Sequence, residues 1–234
     1  MRSVLKNSLI VVVTLSSLLM ANARAQSDSA ALEHVLQQMD DAARKFRSTQ
    51  ANVAWDQYDA VIRETDTQTG KIYFRREGSE IQMAVEFDKP DLKTVIYSGG
   101  KVQVYQPKID QVSLYDAGKN RSDVEGFLVL GFGGAGHDLS KSYDVKFLGT
   151  ENVNGIAAGK LELTPKSVSL RNNIARILLW IDPAKGISVQ QQFFEPGGNY
   201  RLAKYSEIQI NQPLPADAFK LKITKKTRVI SPQG

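Results

Sequence analysis

The chain has 234 residues, of which 30 are basic, 25 acidic and none cysteine. The absence of cysteine excludes a disulfide scaffold and a thiol nucleophile, so stability must rest on a packed core. Setting aside residues 1–25, which hold Arg2, Lys6 and Arg24 but no acid, leaves 27 basic against 25 acidic side chains, too even a balance for a broad electrostatic pull on nucleic acid or anionic lipid.

Those first residues read as a cleavable leader. Met1–Asn7 carries Arg2 and Lys6, Ser8–Met20 is an apolar run, and Ala23-Arg24-Ala25 is the small–x–small pattern of a signal peptidase site. The run falls short of the ~20 apolar residues a membrane span needs. No cysteine follows the cut to take an acyl anchor, so cleavage after Ala25 is expected to release a mature chain starting at Gln26 into an exported compartment. The remaining 209 residues suit one β-rich domain, 26–234, with no repeat or linker.

The mature chain opens with a predicted helix. Leu32, Val35, Leu36, Met39, Ala43 and Phe46 share one face at helical spacing, and Asp28 or Ser29 can cap its first amides. From about Gln50 the period becomes two: Val53, Trp55 and Gln57 alternate with Asn52, Ala54, Asp56 and Tyr58. Thr65–Gly70 reads as a polar turn into a strand over Lys71–Arg76. Ile81, Met83, Val85 and Phe87 then take one side of a strand. Thr94–Tyr97 and Lys101–Tyr105 flank Ser98-Gly99-Gly100 as a tight hairpin, and Ile109–Tyr115 continues the meander.

Ser122-Asp123-Val124-Glu125 fits a capping box ahead of Val124, Phe127 and Leu128, with Gly131–Gly136 ending that helix. Strands follow over Tyr143–Leu148, Ala158–Thr164, Ile174–Asp182, Ile187–Phe194, Tyr200–Ile210 and Phe219–Ile223. Asp182–Gly186 and Glu195–Asn199 supply turn chemistry between them. The fold expected is mainly β (α+β): about eleven antiparallel strands with two or three short helices, curling into a barrel or half-barrel.

Candidate chemistry is sparse. Gly131-Phe132-Gly133-Gly134-Ala135-Gly136 matches a nucleotide fingerprint by letter, but it follows a helix and leads toward strands, the reverse of the context that fingerprint needs. His34 and His137 have no metal-ligand spacing, and no serine elbow exists. Glu64/Asp66 and Glu80/Glu86 read as solvated carboxylates, although a glycosidase using two distant carboxylates stays open. No catalytic residue, metal or cofactor is expected. The stripes Trp55, Met83, Phe87, Trp180, Phe193 and Phe194 either fill a core or line a cavity, since a barrel with strands to spare encloses a ligand.

The chain resembles the periplasmic outer-membrane lipoprotein carrier family, the LolA-like proteins, over residues 28–224. The resemblance lies in the N-terminal helix, Gly70-Lys71-Ile72-Tyr73-Phe74-Arg75-Arg76, the segment from Val95 to Pro107, Leu161-Glu162-Leu163-Thr164-Pro165-Lys166, Leu178-Leu179-Trp180-Ile181-Asp182, and the close from Asn211 to Phe219. It implies an incomplete antiparallel barrel under a short helical lid, with periplasmic carriage of acylated lipoproteins between an inner-membrane transporter and an outer-membrane receptor. It also implies a gate at Arg76 bonded to lid backbone, and lid helix over Ser122–Gly131.

The cavity residues expected on this basis are Trp55, Ile81, Met83, Val85 and Phe87, with Leu128 opposite on the lid. The chain departs from the family at Glu77, where proline is common, and at Val102-Gln103-Val104-Tyr105, where well-known members carry an aromatic run. A monomer without nucleic-acid partners is expected. Rival readings are an envelope lipid or glycolipid shuttle, a stress-sensing domain of the same fold, and a hydrolase. The sensors usually carry a second domain, for which the residues after Ile223 leave little room.

Overall fold

The computed structural model describes residues 26–232 apart from Ser79, Ala117, Lys119 and Asn120; the leader expected over residues 1–25 lies outside the described residues. Helix α1 spans residues 26–45 and buries Val35, Leu36, Met39 and Ala43 along one stripe, followed by Phe46. Asp28 and Ser29 lie inside this helix and do not cap it, because the backbone is already helical at Gln26.

Strands β1 (Ser48–Asp59), β2 (Glu64–Glu77), β3 (Glu80–Lys89), β4 (Lys93–Ser98), β5 (Lys101–Gln106) and β6 (Gln111–Asp116) form a meander. Lid helix α2 (Arg121–Leu128) and the short α3 (Leu139–Ser142) follow. Then come β7 (Tyr143–Val153), β8 (Ile156–Pro165), α4 (Val168–Arg171), β9 (Arg176–Asp182), β10 (Ile187–Phe194), β11 (Tyr200–Ile210) and β12 (Arg228–Ile230). Among the described residues, twelve strands join one sheet in the order β12-β6-β5-β4-β3-β2-β1-β11-β10-β9-β8-β7, with β7 and β12 at its two edges. The result is an open half-barrel, as the strand pattern predicts.

Three expectations need correction. Thr65–Gly70 is no turn: it belongs to β2, paired with β1 from Tyr58↔Thr65 to Val53↔Gly70, and the turn is at residues 60–63. Thr65, Thr67 and Thr69 are β-branched at period two, and Thr67 Oγ1 donates to Asp56 Oδ1 across the pair (2.8 Å). Phe219–Ile223 is irregular rather than a strand. That segment lays Phe219 and Leu221 on the convex face, against Tyr73, Ala84 and Ile96. The chain's last strand is instead β12, which pairs in parallel with β6 (Arg228↔Gln111). Ser122 is the second residue of α2 rather than its cap.

The concave side of the sheet holds two cores. α1 packs Val35, Leu36 and Met39 onto Leu161, Leu163, Ile177, Leu179 and Ile181 of β8 and β9. Phe46, Val53, Ile72, Phe74, Val85 and Phe132 form the second core, under the lid. Trp180 and Phe194 from the aromatic stripes pack elsewhere, with Val153, Ala158, Leu178 and Val189. Successive strand residues face opposite ways, so Trp180 and Phe194 part company with Leu179 and Phe193. Gly99 (φ 58°) and Gly100 (φ 76°) make the β4–β5 turn, where two successive positive φ angles match the twist of a tight hairpin.

Candidate functional site

A cavity of about 290 Å³ lies between the concave sheet face and α2. β1 contributes Val53, Trp55 and Gln57, β2 Ile72 and Phe74, and β3 Met83, Val85 and Phe87. Phe193 and Tyr205 close the far wall, and Phe127 and Leu128 form the roof. Burial falls along β1 from Val53 (buried) through Trp55 (half-buried) to Gln57 (exposed), so the cavity opens toward the C-terminal end of that strand. Phe127 reaches down to Phe193 with ring centres 4.8 Å apart, and Phe193 sits 6.4 Å from Trp55.

The few polar groups in this wall are satisfied from within. Burial pushes the Tyr205 hydroxyl well above the ordinary tyrosine range, so it stays neutral and donates to Gln191 Oε1 (3.0 Å). Gln191 Nε2 in turn donates to the backbone oxygen of Leu130. Lys93 stands at the mouth: its ammonium donates to Gln68 Oε1 (2.5 Å) and lies 4.6 Å from the centre of the Phe87 ring. Partial burial pulls its pKa below the usual lysine value.

Of the residues expected from the sequence, Trp55, Met83, Val85, Phe87 and Leu128 come together around this cavity. Ile81 does not line it. It is buried two residues before Met83 on β3, where its strand partner is Arg76. Phe193, from the aromatic stripes that could fill a core or line a cavity, lines it too, and Phe127, Gln191 and Tyr205 contribute without having been singled out for it in the sequence. Tyr205 and Gln191 become legible only when the β10–β11 pairing turns both inward; Gln191 is buried in a run of three glutamines.

The glycine segment seals one end of the cavity. Ser188 N donates to Gly131 O (2.8 Å), and Phe132 stacks on Phe74 and meets Tyr205 edge-on, both at 4.8 Å. A Cβ on Gly131 would lie 2.3 Å from Ser188 Cβ, one on Gly133 2.4 Å from the Phe46 ring, and one on Gly136 2.3 Å from Leu36 O. Gly131 and Gly133 also hold φ of 75° and 81°. The glycines thus let the backbone lie flat on α1 and the sheet. Helix α2 is tied separately, by Tyr97 Oη donating to Glu125 Oε1 (2.9 Å).

Arg76 bridges α1 and this segment. Its Nη1 donates to Ala43 O (3.1 Å) near the helix C-terminus and its Nη2 to Gly133 O (2.5 Å), with the Phe46 ring 5.6 Å away. Ala43 O lies in the last turn of α1, where carbonyls lack the usual intrahelical donor, and it accepts from Phe46 N (3.3 Å) as well as from the guanidinium. Arg75 points the other way, donating to Gln82 Oε1 (2.6 and 3.0 Å) and lying over Phe219.

His137 fastens the far end of the segment. Its amide donates to Asp40 Oδ1 (3.2 Å), its Nδ1 contacts Asp40 Oδ2 (2.5 Å) and its Nε2 contacts Glu33 Oε1 (3.1 Å). Hydrogen bonds to Asp40 and then Glu33 raise the His137 pKa. Burial alone would raise Asp40, but the His137 side chain and the amides of His137 and Gly136 hold it below the usual carboxylate value. A histidine raised on folding adds stability that is complete below its unfolded value, ~6.5, and is lost as pH climbs through the raised one. The Asp40 contribution is lost only in acid. Wild type should therefore lose protection of residues 129–138 in hydrogen exchange between pH 6 and pH 9, after correction for intrinsic rates. His137→Gln should flatten that dependence; equal pH profiles for the two proteins would disprove the latch.

Among the described residues no group of three or more His, Asp or Glu side chains is placed to hold a metal ion. No described helix is long and apolar enough to cross a membrane.

The family model for outer membrane lipoprotein carrier protein LolA matches residues 44–222, more than half of the chain. The chain belongs to the LolA family. Curated proteins yield no match. The LolA-family fold seen here is similar to an uncharacterized conserved protein from Thermus thermophilus (14% identity, 88% of this chain and 99% of that one, TM-score 0.52). It is also similar to MucB (15% identity, 82% and 63%, TM-score 0.53) and to MucB in the Pseudomonas aeruginosa MucA/MucB complex (17% identity, 82% and 61%, TM-score 0.50). At these identities the likeness concerns the fold, and the chain spans about three-fifths of the MucB chains.

Proposed function

We propose that this LolA-family protein is an exported carrier that shields the acyl chains of lipoproteins and delivers them toward the outer membrane, without covalent chemistry. The observation that carries the reading is an apolar cavity roofed by a short helix and closed by a glycine segment held through a handful of polar contacts. Each methylene left in water costs about 0.8 kcal/mol, so a chain of ~15 costs roughly 12 kcal/mol to expose and must be covered in transit. The closed cavity, about 290 Å³, lies at the lower edge of the ~300–1,000 Å³ common for ligand sites. A long acyl chain therefore enters only if α2 and residues 129–136 lift. Arg76 is the gate in this reading, since its two bonds join the movable segment to α1. The family implies an inner-membrane donor and an outer-membrane receptor as partners.

Mass spectrometry of protein extracted from the native envelope tests cargo and export together. Triacylated peptide and an N-terminus at Gln26 are expected. Phospholipid or glycolipid alone would favour a shuttle, and a captured protein without lipid would favour the stress-sensing reading. A binding assay tests the cavity itself. Met83 is half-buried in the wall, so a carboxylate there reaches water when the lid lifts. Met83→Glu should melt within a few degrees of wild type yet bind a fluorescent fatty acid at least tenfold more weakly. A folded variant with unchanged affinity would put the ligand elsewhere.

A further inference from the structure

The β1–β2 turn displays two apolar side chains to solvent at the open end of the cavity. Val61 is 88% exposed and Ile62 63% exposed. The turn that carries them is firmly built. Ala60 N donates to Asn199 Oδ1 (2.9 Å), while Val61 N and Ile62 N both donate to Asp59 Oδ1 (2.8 and 3.3 Å). Tyr58 and Tyr200 stack beneath it with ring centres 4.8 Å apart. Beyond the last β2–β3 pair, Thr69↔Lys89, β2 runs on through Glu64–Gln68, about 17 Å of strand that projects past its neighbour.

We propose that this turn is a membrane foot: Val61 and Ile62 enter the interfacial zone of a lipid bilayer and set the cavity mouth at Gln57 close to the lipid. Three observations favour a bilayer over a protein partner. The successive amides of Ala60, Val61 and Ile62 already have acceptors inside the protein, which lowers the cost of carrying this backbone into an apolar medium. Two β-branched side chains fall far short of the roughly 800 Å² per partner that a specific protein interface buries, whereas a bilayer demands depth and no complementary shape. Gln57, the exposed end of the cavity wall, lies on β1 four residues before Val61. The flanking charges, Asp59, Arg63 and Glu64, give no net positive field, so the contact is apolar and independent of anionic lipid. A foot of this size gives a weak, reversible contact, suited to a carrier that must leave.

The inference rests on the carrier reading for its purpose but is tested apart from it. The natural chain has no cysteine, so Ile62→Cys labelled with an environment-sensitive dye reports the tip, and Lys146→Cys, on an exposed position of β7, serves as control. Phosphatidylcholine vesicles should shift the dye at position 62 to the blue, in low and high salt alike, and leave the control unchanged. The double variant Val61→Asp/Ile62→Asp should co-sediment with these vesicles at least tenfold less than wild type. Its affinity for a fluorescent fatty acid in vesicle-free solution should stay within twofold. A silent dye at position 62, or co-sedimentation equal to wild type, overturns the foot and leaves the carrier reading standing. Loss of fatty-acid binding without vesicles also overturns it, by making the tip part of the cavity. Vesicle docking by a wild type that binds no fatty acid supports the foot and sinks the carrier reading.

Discussion

Replacing Arg76 with leucine should tighten fatty-acid binding about tenfold and slow release by a similar factor. In the empty protein the guanidinium holds both Ala43 O and Gly133 O, and in the proposed mechanism the bond to Gly133 breaks when residues 129–136 lift. Leucine donates nothing, so the closed state alone loses the Gly133 contact. Losing a charge-assisted hydrogen bond costs about 1.5–3 kcal/mol, and water reaching the part-buried carbonyls returns some of it. A net loss near 1.4 kcal/mol raises the share of open, binding-competent protein about tenfold, and the apparent affinity follows that share. The variant should accordingly load well and hand on poorly. Arg75→Leu is the matched control: it loses its bonds to Gln82 and its contact with Phe219, away from the cavity, and should bind as wild type does. Fluorescent fatty-acid titration and stopped-flow release measure both quantities. Identical affinities for wild type, Arg76→Leu and Arg75→Leu would end the gate.

Phe132→Ala should cost about 3–5 kcal/mol, the range for deleting a buried phenylalanine ring. The ring is 1% exposed, stacked on Phe74 and edge-on to Tyr205, so its removal opens a void in the core beneath the lid. Because residues 129–136 lie on the sheet rather than within it, part of the loss should appear as local opening before global unfolding. Denaturant unfolding should show the reduced midpoint, and hydrogen exchange should show the earliest loss of protection in this segment. Phe132→Leu should recover part of the stability by refilling the void. A Phe132→Ala cost below 1 kcal/mol would mean that the segment is not packed as described and would remove the basis for a sealed cavity.

The sequence alone determined what depends on neighbours along the chain. The stripe from Leu32 to Phe46 declares a helix because its period needs no partner, and Gly99-Gly100 declares a turn because only a few residues accept those angles. The alternation in Ile81–Phe87 marks a strand with one apolar side, and the order of such strands, with the resemblance they carry, pointed to the open barrel. Polar strands hide from the same reasoning. Thr65–Gly70 has no apolar side because most of it, up to Gln68, projects past β3, so it reads as a turn until its pairing with β1 is seen. Phe219–Ile223 misleads in the opposite sense: its period of two comes from lying on the convex patch of Tyr73, Ala84 and Ile96, with no strand beside it.

Only the tertiary structure decided which apolar side chains line a cavity and which fill a core. Trp180 and Phe193 look alike in sequence, yet β9–β10 pairing places them in different clusters, and Phe193 alone faces the lid. Ile81 shares the alternation of Met83, Val85 and Phe87 but falls outside the cavity, at the position on β3 that pairs with Arg76. The run Gly131–Gly136 signals a break in helix; that it seals the cavity depends on Phe46, Leu36 and Ser188 arriving from distant segments. Arg76 could be placed by resemblance, but its acceptors, Ala43 O and Gly133 O, lie 33 and 57 residues away along the chain. Local period specifies elements, whereas a cavity is a relation among faces, and faces meet only after the strands have paired.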